Sequence, residues 1–371
     1  MSSTAPVKEK TISKVLPLTM YEAWQAELSK AIDGDLIDLI EKAFDDAEAR
    51  GIDLGNMVLF EMYRIPAVAW VNQTLKKLLG IDAQLDYTVD SRGNFELIYQ
   101  DPQHKNFVTY CVPQLIVISE FGRDEKIFKL TQGITEMLLN TDLKNVAGKY
   151  VQPPFDSFMI SLPTNLGLEY NEIYMIFDDM GDARGIHFVM VDSIRETSKP
   201  VYTKYIYLDD EKDIFEQLHT EFDKMRHSIM NFERVLKGDT DISPEEKITE
   251  LIELAVNTIL YINSTKPEMV NIKPIRSFAK TRKESKLPAK ELGSSIRLSS
   301  SVITVSSMDT SSEKRTYQVS DKIWWQRGHW RKQKHGKGRT LIKVIWIEPQ
   351  LKGHKNQGED PKLHNRSYHV K

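Results

Sequence analysis

The residues best suited to chemistry lie near the C-terminus, in Lys322-Ile-Trp-Trp-Gln-Arg-Gly-His-Trp-Arg331, Lys332-Gln-Lys-His-Gly-Lys-Gly-Arg339 and Thr340-Leu-Ile-Lys-Val-Ile-Trp-Ile347. Four of the six Trp of the chain (Trp324, Trp325, Trp330, Trp346) fall in this block. Aromatic and β-branched residues on either side of a Gly-containing basic stretch predict two strands joined by a loop. Arg327, Arg331, Lys334, Lys337, Arg339 and Lys343 carry positive charge that can neutralise phosphates. Trp330 and Trp346, with His329, offer ring faces on which unpaired bases can stack. Gly336 and Gly338 let the backbone approach a phosphate closely, and Gly328 joins the candidate binding residues. A second reading needs no ligand: a small module without a helix uses Trp as its core, with cationic stems lying over the rings.

His329 is the one candidate for acid–base work, because an imidazole among cations can pass a proton in RNA cleavage. Its nearby companion is His335, and the alternative is a structural, hydrogen-bonding role. No catalytic residue is assigned on this pattern. His354, His364 and His369 lack metal-ligand spacing, and the acidic runs Asp178-Asp179-Met-Gly-Asp182 and Asp209-Asp210-Glu211 suit turns and helix starts. Phosphate-loop, nucleophile-elbow and HExxH patterns are missing from the sequence. Neither a metal nor a cofactor is expected.

Charge sets this block apart from the rest. Asn271 to Lys371 hold 23 Lys and Arg against 8 Asp and Glu, whereas the preceding residues hold 27 against 45. The formal net charge of −3 over 371 residues is the sum of an acidic body and a basic end. One cysteine, Cys111, excludes a disulfide framework and suits a reducing compartment. The N-terminus lacks the apolar core of a signal peptide, and no apolar run reaches membrane-spanning length. A soluble protein of the cytoplasm is the expectation, with no membrane partner.

Thr19 and Glu22 form a capping box, and Trp24, Leu28, Ile32, Leu36, Ile40 and Phe44 predict one helix running to Gly51. A second helical stretch, Met57 to Leu79, is expected to kink or split at Pro66. Leu85–Val89 and Phe95–Tyr99 read as a hairpin, and Phe107–Cys111 and Leu115–Ile118 as further strands. A helix is expected over about Thr131 to Val146. Phe158–Leu162, Glu172–Phe177, Gly185–Val191 and Val201–Leu208 are rich in β-branched and aromatic residues, and short loops favour an antiparallel sheet. Asp210–Leu236 and a capped helix starting at Ser243-Pro244 close the body. A basic, Ser-rich window follows, with Val302–Val305 a candidate edge strand.

The expected class is therefore α+β: a mostly antiparallel sheet with helices in an acidic body, residues 1–270. A basic, Ser-rich linker (271–316), a basic Trp-rich β-hairpin module (317–353) and a polar tail (354–371) complete the chain.

Arg327-Gly328-His329-Trp330, followed by Gly336-x-Gly338 and Lys343-Val344-Ile345-Trp346, resembles the C-terminal motif of the type V-A anti-CRISPR proteins that block biogenesis of the type V effector nuclease. The helix Leu251–Ile262 with Lys266-Pro267-Glu268 is similar to the apolar helix and Pro-containing turn before that family's linker. The resemblance implies a binding protein of a phage or plasmid. Its partner is the N-terminal peptide of the effector as it emerges from the ribosome, and loss of the encoding mRNA follows. The mRNA, the ribosome and a host ribonuclease are further partners left open. Two other readings stand beside it: an RNA-binding protein or ribonuclease acting through the basic module, and a module that docks on an acidic protein surface.

Overall fold

The computed structural model describes residues 12–352 apart from 14–15, 83–84, 90–94, 99–101, 169, 180–183, 193–201, 226–244, 265–266, 274–284, 294–323 and 327. The Ser-rich window, Val302–Val305, the Ser243-Pro244 cap, Asp182, Arg327 and the tail histidines lie outside the described residues.

In chain order the helices are α1 (Met20–Lys30), α2 (Leu36–Ala49), α3 (Leu59–Met62), α4 (Arg64–Leu79), α5 (Pro102–Ile116), α6 (Gln132–Leu139), α7 (Ile214–Met225) and α8 (Glu245–Ile262). The strands are β1 (Ile12–Ser13), β2 (Asp86–Val89), β3 (Phe95–Ile98), β4 (Ile127–Leu130), β5 (Thr141–Asp142), β6 (Ser157–Ser161), β7 (Glu172–Asp179), β8 (Arg184–Val191), β9 (Tyr202–Leu208), β10 (Met269–Lys273) and β11 (Ala289–Leu292). Then come β12 (Trp324–Gln326), β13 (Gly328–His335), β14 (Leu341–Ile347) and β15 (Gln350–Lys352). The α+β class is as expected.

The chain forms two compact units, each drawn from separate segments: residues 1–129, 153–209 and 270–291, and residues 130–152, 210–269 and 292–371. Segments 130–152 and 210–269 thus group with the C-terminal hairpin, across the composition boundary at residue 270.

The first unit carries an eight-stranded sheet, ordered β1-β10-β11-β4-β6-β7-β8-β9. Strands β6 to β9 form the expected antiparallel meander, with Met175 opposite Phe188 and Ile186 opposite Ile206. β4 pairs parallel to β6, and β1 parallel to β10. Trp24, Tyr63, Phe121 and Tyr174 are buried in one apolar cluster with the inner faces of the helices. Tyr21 and Tyr174 each meet the Phe121 ring edge-on, at 5.0 and 5.2 Å between centroids.

Two expectations change here, and a third holds in detail. The Thr19–Glu22 capping box forms, but the helix it starts ends at Lys30. Gly34 takes φ 108°, and the Asp35 carboxylate accepts from the N–H groups of Ile37 and Asp38 to start a second helix. The four-residue apolar step runs through this break because Ile32 is buried in the connector. The second stretch does split, three residues ahead of Pro66: α3 ends at Met62, the carbonyl that the proline ring excludes four residues back. Phe107–Cys111 and Leu115–Ile118 are helical, not strands. Val108, Cys111, Val112 and Leu115 are fully buried at 3- and 4-residue spacing, the helical period that a short apolar run conceals. Burial also pushes the Cys111 thiol well above its ordinary range, so it packs as a small apolar group.

The second unit is built on α8, which packs on α6. Leu254, Ala255, Val256 and Ile259 of α8 are fully buried, as are Ile134 and Leu138 of α6. α6 is shorter than expected, because Asn140 caps it and Thr141–Asp142 becomes an edge strand.

Candidate nucleic-acid interface

β13 and β14 pair antiparallel, with Trp330 opposite Trp346, Lys332 opposite Val344 and His335 opposite Leu341. Directly opposed residues share a face, so Trp330 and Trp346 lie side by side, ring centroids 6.3 Å apart. β5 pairs parallel on the outer edge of β13, Thr141 beside Gly328 and Asp142 beside His329.

This face is fastened by a chain of hydrogen bonds. The Trp330 indole N–H donates to Asn257 Oδ1 at 2.7 Å. Asn257 Nδ2 donates to the carbonyls of Leu138 and Thr141 at 3.1 and 3.0 Å. The Trp346 indole N–H donates to Thr141 Oγ1 at 3.1 Å, and that hydroxyl donates to the Met137 carbonyl. Tyr261 of α8 meets the Trp346 ring edge-on at 5.3 Å. Asn257 is 1% exposed, so its full set of partners is what makes its burial tolerable. Trp330 is 5% exposed, and its ring is covered. Gly328 is held by close approach: a Cβ there would sit 2.7 Å from Thr141 Oγ1 and 2.8 Å from Pro349 Cδ. The Gly-His-Trp element is therefore the docking edge of the hairpin.

Beyond the Trp pair the hairpin is open to solvent. Arg331, Lys332, Lys334, Lys337 and Arg339 are exposed, and Lys343 is partly so. Among the described residues none of these six cations is paired with a carboxylate, and residues 328–347 contain no Asp or Glu. Lys332 lies near the Tyr150 ring, its Nζ 6.0 Å from the centroid. Gly336 and Gly338 take φ of 81° and 69°, and Arg339 takes 56°, which closes a tight tip with Arg339 N–H on the Gly336 carbonyl. The two glycines thus serve the turn itself.

His329 is partly buried on the face opposite Trp330, next to Asp142 on the neighbouring strand. His335 is six residues further along the same strand, about 20 Å away at the rise of an extended chain. The two imidazoles cannot share one proton-transfer step. A different His–carboxylate pair exists in this unit: His219 Nε2 lies 2.9 Å from Glu253 Oε1, between α7 and α8. Burial raises the Glu253 carboxyl above its ordinary value, against the lowering pull of His219. Among the described residues no three His, Cys, Asp or Glu side chains gather as a metal site, and no helix is long and apolar enough to cross a membrane.

The chain matches the AcrVA2-like family, the anti-CRISPR type V subtype A2 family, over residues 128–353. It belongs to that family. The matched span holds the whole motif from Arg327 to Trp346 and the helix α8 on which it rests. A solved chain described as "Crystal structure of AcrVA2" aligns at 13% identity, covering 89% of this chain and 97% of that one, with a TM-score of 0.41. No curated protein matches. For a member of the AcrVA2-like family, Asn257 and Thr141 are the positioning residues that the motif alone does not reveal. Their one sequence signal is an Asn inside the apolar stripe of α8, between Leu254 and Ile259.

Proposed function

We propose that this anti-CRISPR protein represses production of a type V CRISPR effector nuclease by recognising the effector's N-terminal peptide as it leaves the ribosome. Loss of the encoding mRNA follows. The peptide is held by the acidic body, and the basic hairpin meets RNA, either the message or the ribosome. A host ribonuclease is a further partner in this scheme. Family membership supports the target system. The observation that carries the division of labour is the hairpin: six cations without carboxylate partners among the described residues, on a ribbon locked to α8 through Trp330 and Asn257.

The test uses cells carrying effector messages of two designs. One keeps the N-terminal amino acids and changes their codons; the other keeps nearly all nucleotides and shifts the frame over that stretch. Repression is expected to persist with the first and vanish with the second. Equal repression of both messages would instead mean that RNA sequence, not peptide, is recognised, and the hairpin would then act alone as an RNA-binding module.

A further inference from the structure

In the first unit the apolar stripe of α4 outruns its cover. Val68, Val71 and Leu75, spaced three and four residues apart, are buried. Leu78 and Leu79 continue that stripe by one turn, yet they are 62% and 65% exposed. Gly80, at φ 66°, ends the helix, and the Ile81 N–H turns back onto the Leu75 carbonyl, leaving Ile81 exposed as well. α5 brings more apolar surface to the same end. It packs on α4, and the Tyr63 hydroxyl at the start of α4 donates to Glu120, four residues past the end of α5. The two helices therefore run antiparallel. Counted from that contact at about 1.5 Å per residue, Leu79 lies level with the first turn of α5. Phe107 and Tyr110 follow within two turns, Ile98 ends β3 just ahead of α5, and all three are about half exposed.

At about 200 Å² for a large apolar side chain, these six residues expose about 600 Å², the top of the range for the largest patch on a soluble monomer. Charge at the patch is largely balanced from within. Lys76 Nζ lies 3.8 Å from Asp82 Oδ1, and Lys77 Nζ 2.9 Å from Asp33 Oδ1. Lys105, exposed beside Phe107, is one cation without a carboxylate among the described residues. A nucleic acid or an anionic lipid surface needs a cluster of free cations, so the fitting partner is apolar protein. A second copy of the chain supplies an equal apolar area with no charge to complement, and a two-fold axis needs only this one surface. Two copies burying about 600 Å² each reach about 1,200 Å², the lower end for specific interfaces. The patch also lies outside residues 128–353, so family membership assigns it no partner.

We propose that the protein forms a two-fold dimer through the α4–α5 face, in which Leu78, Leu79, Ile81, Ile98, Phe107 and Tyr110 of one copy cover the same residues of the other. The contact is at the small end of stable interfaces, so the dimer is concentration-dependent rather than permanent. It is independent of how the hairpin and the effector peptide act, and its failure leaves the proposed function untouched.

The experiment is sedimentation equilibrium of the full-length protein, stripped of nucleic acid, at concentrations up to about 100 µM. The wild type is expected to pass from monomer to dimer within that range, and its melting temperature to rise with concentration. Leu78→Glu with Leu79→Glu, and separately Phe107→Gln with Tyr110→Gln, are each expected to weaken association by at least about tenfold. All four side chains are exposed, so in dilute solution both variants should melt as the wild type does, which separates lost contact from lost fold. Lys334→Gln with Lys337→Gln should leave the dimer intact, because the hairpin takes no part in it. A wild type that stays monomeric throughout would overturn the proposal. So would a dimer that either apolar pair leaves unchanged, or a monomer that binds the effector's N-terminal peptide or anionic vesicles through Leu78 and Leu79.

Discussion

Trp330→Ala is expected to destabilise the second unit by about 3–5 kcal/mol, the range for emptying a buried Trp site. The indole is 5% exposed, between α8 and the partner ring of Trp346, and its removal leaves Asn257 Oδ1 without a donor. Asn257→Ala is expected to cost about 1–3 kcal/mol by a different route, because the indole N–H then lies buried without an acceptor. The Leu138 and Thr141 carbonyls each lose one donor in the same step, and Leu138 keeps the Asn140 N–H. The two substitutions share one hydrogen bond, so the double variant should be less destabilised than the sum of the singles. Hydrogen exchange along β13 and β14, with chemical denaturation, measures both effects. Fast exchange confined to the hairpin in either variant is the expected pattern. Unchanged protection there would show that the hairpin is held by something other than this anchor.

The second large effect is acid sensitivity centred on His187. This residue sits in β8 between Ile176 and Tyr205 and stacks on Phe60, and it is 1% exposed. Neither ring nitrogen has a hydrogen-bond partner among the described residues. Burial alone pushes its pKa down to about 4, against an ordinary value of 6.5. The folded state therefore binds fewer protons than the unfolded chain between those values. Stability from this residue is full above about pH 6.5 and drains away as pH falls toward 4, by about 3 kcal/mol in all. His187→Phe keeps a flat ring in the same place and has no proton to bind. Unfolding free energies at pH 7 and pH 4.5 should differ by about 2–3 kcal/mol less in the variant than in the wild type. An equal difference in both proteins would show that His187 does not carry the acid sensitivity.

Much of this architecture is legible from local pattern. Alternation marks β6 to β9, the Thr19–Glu22 box marks the start of α1, and the Gly and cation spacing marks β13, the tip and β14. What local pattern misses has long-range causes. The break at residues 31–35 is hidden because Ile32 is buried in a connector and keeps the helical beat. α5 looks like strand because its short apolar runs are β-branched and aromatic, and their burial against α4 is invisible in a window of five residues. The anchor joins Asn257 to Trp330 across 73 residues and Thr141 to Trp346 across 205, separations that no local spacing can register. Hence the Trp residues could be read from sequence as stacking faces or as core, and contact decides: Trp330 is core, and the exposed cations around it are what remains for a partner.

A basic hairpin that touches RNA during repression must lose that contact when its cations are neutralised. The most direct measurement is ultraviolet crosslinking in cells that express the effector message, comparing wild type with a variant carrying Lys332→Gln, Lys334→Gln, Lys337→Gln and Arg339→Gln. All four side chains are exposed, so the variant should fold and melt as the wild type does. RNA crosslinks and loss of the effector message are expected to fall together in the variant, each by about tenfold or more. Crosslinks and message loss at wild-type levels in a folded variant would contradict the RNA contact.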